Sequence, residues 1–349
     1  MKKYLLFATA VCAALAACTK NDVKPVEMDQ EITYQTINTK ALSAFSPSNK
    51  FYSWAYLLAS DQNWTNNFAS SKPYITNSLI EYSKTAKAWK NSTTSYYWPK
   101  KAGLTFFAWS DATNNPSVGS ATVNCSATDG ITFTRYNTNT ASTKNKDLLV
   151  AKIATGQNSN TTTYDNGWAA GVPTVFSHVL SALVVKAKTD VTYSDITFKV
   201  KSIDFTNVYS TGDYTQGHDA SAKPTASSWS NLSSATSFDV YSPASESNPV
   251  TYEGIELAPV GEDVRIFMPQ TFSDTTPKAT PKASITYTVE YGTSEVIDEV
   301  TVEKDLKSIF TSNWRPGYKY TLTITLGLNQ ILWAPDVEPW STGEGNFTI

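Results

Sequence analysis

The chain has 349 residues, enough for more than one domain with its own core. Its 28 Lys and Arg against 31 Asp and Glu give a formal net charge of −3 with no basic run or stripe, so nothing points to nucleic acid. Aromatic residues make up 13 % of the chain, including 10 Trp and 19 Tyr, which excludes general disorder.

Met1-Lys2-Lys3 is a short basic start, and Tyr4–Ala14 is an apolar stretch of signal-peptide length. It is too short to span a bilayer permanently. Leu15-Ala16-Ala17-Cys18 then looks like a bacterial lipobox, in which cleavage falls before the cysteine and the thiol carries the lipid. The alternative is an ordinary secretory signal cut after Ala14-Leu15-Ala16. With 1–17 removed, Lys2 and Lys3 leave and the mature net charge becomes −5. Cys12 leaves with the signal and Cys18 takes the lipid, so Cys125 alone remains and no disulfide framework is expected.

Period-two alternation dominates the chain beyond Cys18. Strands are predicted over Phe51–Leu58, Ser78–Trp89, Leu104–Trp109, Ile131–Tyr136, Asp147–Ile153 and Val179–Ala187. Ile196, Phe198 and Val200 alternate with polar residues, and the apolar phase then moves to Ile203 and Phe205, which predicts a bulge or a sharp twist. Tyr209–Ser237 lacks periodicity and reads as a large surface loop. Val264–Met268, Ile285–Tyr291, Glu299–Glu303 and Tyr318–Leu328 complete the strands. Helical turns are expected only within 54–66 and Lys304–Thr311. Polar loops cover Asn137–Lys146 and Thr155–Gly167, and Gly171-Val172-Pro173 marks a domain boundary. The fold class is all-β, built of sandwiches or barrels.

Residues that could carry chemistry are sparse. His178 lies in an apolar strand and reads as structural, while His218 has no second His or Cys at metal-ligand spacing. Hydrolase, zinc and phosphate-loop motifs are missing, and Cys125 has no signature of an activated nucleophile. Neither a cofactor nor catalysis is expected. Trp98 and Trp109 read as core. Trp64, between Asn63 and Thr65, is the candidate for an exposed ring that could stack on a sugar.

Several local patterns, taken in order, resemble the fimbrillin (Mfa-like) subunits of type V pili. They are Tyr97-Trp98-Pro99, Leu104–Trp109, Asp147–Ala151, Phe176–Ser181, Met268-Pro269-Gln270, Trp314–Tyr320 and Ile331–Trp340. The resemblance implies two tandem transthyretin-like (Ig-like) β-sandwich domains after the lipoprotein signal. The layout is signal peptide 1–17, an N-terminal segment 18–40 with a removable first strand, sandwiches over 41–173 and 174–330, and a tail over 331–349. Ile32, Tyr34 and Thr36 form the inward face of the first strand. The resemblance further implies proteolytic removal of that strand and filling of the groove by a neighbour's C-terminal strand. Here the processing bond is Lys40–Ala41, although the family's best-known protease prefers arginine and this chain has none before Arg135. The donor face is Ile331, Trp333 and Val337, with Trp340 beyond it; the alternative is that this stretch closes its own domain, as Tyr318–Leu328 is expected to do. Asp274-Thr275-Thr276 resembles an O-glycosylation acceptor.

On this reading the chain reaches the outer membrane as a lipid-anchored precursor through Cys18. It becomes a fimbrial subunit at the cell surface, and its partners are other pilus subunits and a host or bacterial surface receptor. The alternatives are an anchor or tip subunit, or a monomeric glycan-binding lipoprotein using Trp64.

Overall fold

The computed structural model describes residues 30–37, 45–59, 61–138, 146–159, 171–225, 228–243, 248–257, 264–272, 279–292, 297–311, 313–328 and 331–340. The signal peptide, Cys18, Lys40, Ala41 and Asp274-Thr275-Thr276 lie outside them.

Eight strands form the first sheet: β1 (Tyr34–Ile37), β2 (Phe51–Ala59), β3 (Lys72–Ser83), β4 (Ala88–Asn91), β5 (Ala102–Ser110), β8 (Leu149–Ala151), β9 (Ala154–Gln157) and β10 (Val172–His178). Their order is β2-β3-β4-β1-β10-β8-β5-β9, and β5 also pairs with β2, which closes the pairing into a ring. Inside it lies an aromatic core of Tyr34, Phe51, Trp89, Phe106 and Phe176.

Two further sheets face each other. One joins β15 (Ile255–Glu256), β11 (Ser181–Thr189), β19 (Tyr318–Leu326) and β20 (Ile331–Pro339), with β16 (Arg265–Phe267) also on β11. The other runs β18 (Ile297–Asp305), β17 (Lys282–Tyr291), β12 (Ile196–Thr215), β7 (Gly130–Asn137), β6 (Thr122–Ser126), with β13 (Trp229–Tyr241) and β14 (Pro249–Val250) on β12. Phe198, Phe205, Ile285, Trp314, Leu322 and Ile324 fill the space between them. The alternation of β19 explains its seat: Tyr320, Leu322, Ile324 and Leu326 are buried on one face, and Thr321, Thr323 and Thr325 are half-buried on the other.

β12 joins the two halves. Its first part pairs with β17, and its last residues, Thr211–Thr215, pair with β7 from the first half of the chain. A third core forms at this junction from Trp54, Phe107 and Trp109 on the ring and Phe133, Tyr214 and Ile266 on the other sheets. The bulge predicted between Val200 and Ile203 is present as a register shift between Val200 and Ser202.

Two readings change. The loop expected over 209–237 is mostly strand, because β12 runs to Thr215 and β13 begins at Trp229. Ser230, Asn231 and Ser233–Ala235 of β13 face solvent, and left-handed Asn231 and Ser234 interrupt its alternation. Such a strand leaves no apolar period in the sequence. Ser78–Trp89 is two strands, with a turn through left-handed Lys87. The short helical turns expected near 54–66 and within Lys304–Thr311 are present, one turn each, as α1 (Trp64–Asn67) and α2 (Leu306–Ile309). The strand that follows Gly171 still pairs with β1 and β8, so the change of sheet falls between His178 and Ser181.

Candidate functional site

The seat of the first strand is built from both flanks. On one side Ile32 N donates to Tyr96 O at 2.7 Å, and Gln30 O accepts from Trp98 N at 3.0 Å. On the other, Val172 N donates to Thr33 O at 2.8 Å, and β1 then runs parallel to β10 from Tyr34↔Val172 to Ile37↔Val175. Tyr34 also pairs with Trp89 of β4. Residues 30–37 are therefore an inserted strand rather than an edge. Gly171 permits the insertion, since a Cβ there would sit 2.6 Å from the Tyr34 carbonyl carbon and 2.8 Å from the Gln35 nitrogen.

Side chains lock the segment in place. Ile32 and Tyr34 are 3 % and 2 % exposed. The Tyr34 ring meets Phe51 edge-on at 5.4 Å and Phe106 at 5.7 Å. Its hydroxyl faces Ser53 without good hydrogen-bond geometry, and burial raises it far above the usual phenol value. Phe45, stacked on Phe176 at 5.1 Å, closes the wall. At the rim both Glu31 oxygens accept from Lys90 Nζ at 2.9 Å, and Ser95 donates to one at 2.6 Å. Desolvation would raise the Glu31 carboxyl, but the Ser95 hydrogen bond and the Lys90 ammonium outweigh it and hold it below its ordinary value. The expected inward face is thus in place for Ile32 and Tyr34, while Thr36 is half-buried.

The last strand is seated differently. β20 pairs antiparallel with β19 along its whole length, from Leu326↔Ile331 to Tyr318↔Pro339. Beyond it, Trp340 N donates to Gly317 O at 2.7 Å. In an antiparallel ladder this directs the even-numbered N–H groups toward β19. Pro335 and Pro339 are odd, so their missing N–H falls on the free edge, where no ladder bond is lost. Ile331, Trp333, Pro335 and Val337 stand opposite buried residues of β19, yet only Ile331 and Trp333 are half-buried, and Val337 is 41 % exposed. A groove of about 320 Å³ lined by Tyr287, Val302, Leu328, Ile331 and Trp333 lies alongside. The expected donor residues are therefore parked on their own subunit, mostly through backbone pairing.

Trp340 is the exception, at 8 % exposure. Its indole stacks on the His178 imidazole at 3.7 Å and 9°. His178 Nδ1 lies 2.6 Å from Asp147 Oδ2, with both side chains buried. His178 is structural, as its strand context suggested. Its partners lie 31 and 162 positions away in sequence, and no local pattern could reveal that meeting.

The remaining candidates are structural. Trp64 is 5 % exposed rather than open to solvent, which removes it as a sugar platform. Asn63 caps α1, whose turn drives the ring inward against Phe107 at 5.7 Å, and the indole N–H donates to His218 O at 2.8 Å. His218 stacks on Phe68 at 3.8 Å. Trp98 and Trp109 are buried as expected. Burial pushes the Cys125 thiol far above its usual value, the opposite of an activated nucleophile. Among the described residues no group of three or more His, Cys, Asp or Glu could hold a metal, and no helix is long and apolar enough to cross a membrane.

The inserted first strand and the peripheral last strand belong to an all-β architecture built of several sheets. The chain belongs to the fimbrillin-like family, whose profile matches residues 24–340. The fold is similar to that of a fimbrial protein from Bacteroides vulgatus, with a TM-score of 0.62 at 19 % identity over 89 % of this chain and 100 % of that one. It is also similar to a candidate cell adhesion protein from Bacteroides uniformis, with a TM-score of 0.50 at 15 % identity over 89 % and 98 %. No curated protein matches the sequence. Membership places the chain among fimbrial proteins of the cell surface and implies assembly with other pilus subunits.

Proposed function

We propose that this chain is a structural subunit of a cell-surface fimbria, assembled by donor-strand exchange and supporting adhesion to a host or bacterial surface. It is exported as a lipoprotein through Cys18 and cut at Lys40–Ala41. Its residues 30–37 then leave, and the C-terminal strand of a neighbour, carrying Ile331, Trp333, Val337 and Trp340, fills the vacated seat.

The observation that carries this reading is the inserted, buried first strand. Losing it would leave backbone groups at 96–98 and 172–175 without partners and would open the aromatic wall of Phe51, Phe106 and Phe176. Unpaired edges of this kind are templates for another chain. An extended donor restores both backbone pairing and side-chain filling. The tail suits the part because, apart from half-buried Ile331 and Trp333 packed at the core edge and the Lys319–Glu338 ion pair, backbone pairing holds Ile331–Pro339 to its own subunit. An uncut chain would retain its lipid and act as an anchor subunit, and the absence of any arginine before Arg135 favours that second reading.

The test is limited lysine-specific proteolysis of the mature protein. Cleavage at Lys40 followed by a ladder of multimers that survives detergent supports the stalk reading, and Lys40→Gln abolishes the ladder. A cut chain that stays monomeric sinks it.

A further inference from the structure

Seating of the first strand and retention of the last meet on one element, β10. Residues Val172–Val175 pair with β1, and outside that pairing Lys152 N donates to Val175 O at 2.8 Å. Residues Phe176–His178 pair with β8. The final residue of the same strand, His178, carries Trp340 on its ring. Trp340 is the one buried residue of the tail from Ile331 to Trp340, so its stack is the principal side-chain hold on the tail's distal end. Asp147 binds the edge of the imidazole, and its other oxygen is buried without a partner, so this carboxylate depends on His178. Gly317 ties the same corner together: its N–H donates to Leu180 O at 2.9 Å, and its own carbonyl accepts from Trp340 N at 2.7 Å.

We propose that β1 and the tail are coupled through β10, with His178 and Trp340 as a latch. A subunit that loses its first strand loosens its grip on its own last strand. Vacating the seat removes the pairing of the N-terminal half of β10, and the freedom gained reaches the imidazole on which Trp340 rests. The linkage is reciprocal, so freeing Trp340 also weakens the seat of β1. Its meaning for assembly rests on the strand-exchange reading above: a subunit would offer its tail only after its own groove had opened. The coupling itself is a property of the uncut monomer and stands or falls separately.

Hydrogen exchange of the mature monomer, read by mass spectrometry, tests it through Trp340→Ala and Tyr34→Ala. Trp340 ends an exposed edge strand, so Trp340→Ala is expected to fold. It should speed exchange of 332–340 at least tenfold and that of 33–37 and 172–178 severalfold, with β17 unchanged. Tyr34→Ala should speed exchange at 172–178 and at 336–340. Acceleration confined to the tail in Trp340→Ala overturns the coupling. So does a uniform rise that includes β17, which would make Trp340 a general core residue. If Tyr34→Ala does not fold, the Trp340→Ala arm decides alone. Because no cleavage or polymerisation enters this experiment, its failure is distinct from failure of the multimer ladder.

Discussion

Tyr34→Ala is the sharpest probe of the first-strand seat. The ring is 2 % exposed and meets two aromatic neighbours edge-on at 5.4 and 5.7 Å. Truncating a buried aromatic to alanine costs about 3–5 kcal/mol, of which the two ring contacts supply about 0.5–1.5 kcal/mol each. In a unit of this size 1 kcal/mol corresponds to about 2–4 °C. The melting transition of the first sheet should therefore fall by about 10 °C, measured by calorimetry. Tyr34→Phe separates ring from hydroxyl. The hydroxyl is buried without a good partner, so its removal should change stability by less than ~1 kcal/mol. A fall of under about 2 °C in Tyr34→Ala would refute the seat, and so would a large loss in Tyr34→Phe.

Other expectations rest on single contacts. Trp64→Ala should lose about 3–5 kcal/mol in urea unfolding, as a core residue does, whereas an unchanged midpoint would restore an exposed ring. Glu31→Gln should loosen residues 30–37 in hydrogen exchange at neutral pH. The lowered carboxyl stabilises the seat above the ordinary Glu value, and the benefit fades as pH falls through its lower folded value. Wild type and variant should thus converge in acid, and a difference that persists there contradicts the account. Asp204 stands opposite Asp239 across β12 and β13, and burial first and Asp239 second raise its carboxyl. The raised value means the charged form is disfavoured on folding, so Asp204→Asn should gain up to ~1 kcal/mol at neutral pH. That gain should shrink as acid protonates the wild type, and a loss at pH 7 would contradict it. Native Cys125 should react with iodoacetamide far more slowly than in urea, and equal rates would show that the thiol is open.

The sequence revealed those parts of the fold where one face is buried and the other wet. Tyr320, Leu322, Ile324 and Leu326 announced β19, and the phase shift after Val200 announced the bulge in β12. The middle of β13 stayed hidden because Ser230, Asn231 and Ser233–Ala235 face solvent and the stretch pairs with β12 through the backbone. Trp64 misled for a local reason. Its polar neighbours belong to the outside of a single helical turn whose one inward residue is the tryptophan itself. Ile32 and Tyr34 were legible as an inward pair, but their place between β4 and β10 depends on pairings with residues 55 and 138 positions away from Tyr34. The tail's alternation was equally legible, yet alternation cannot tell a strand parked on β19 from one offered to a neighbour. The His178–Trp340 stack joins chain regions with no shared local pattern, so only the folded form brings it to view.

Removal of the first strand in the assembled fimbria can be read from the N-terminal residue of protein sheared from the cell surface. Chains that begin at Ala41, with residues 30–37 gone from their seat, are expected. Chains found only with a lipid-blocked Cys18 would contradict that removal.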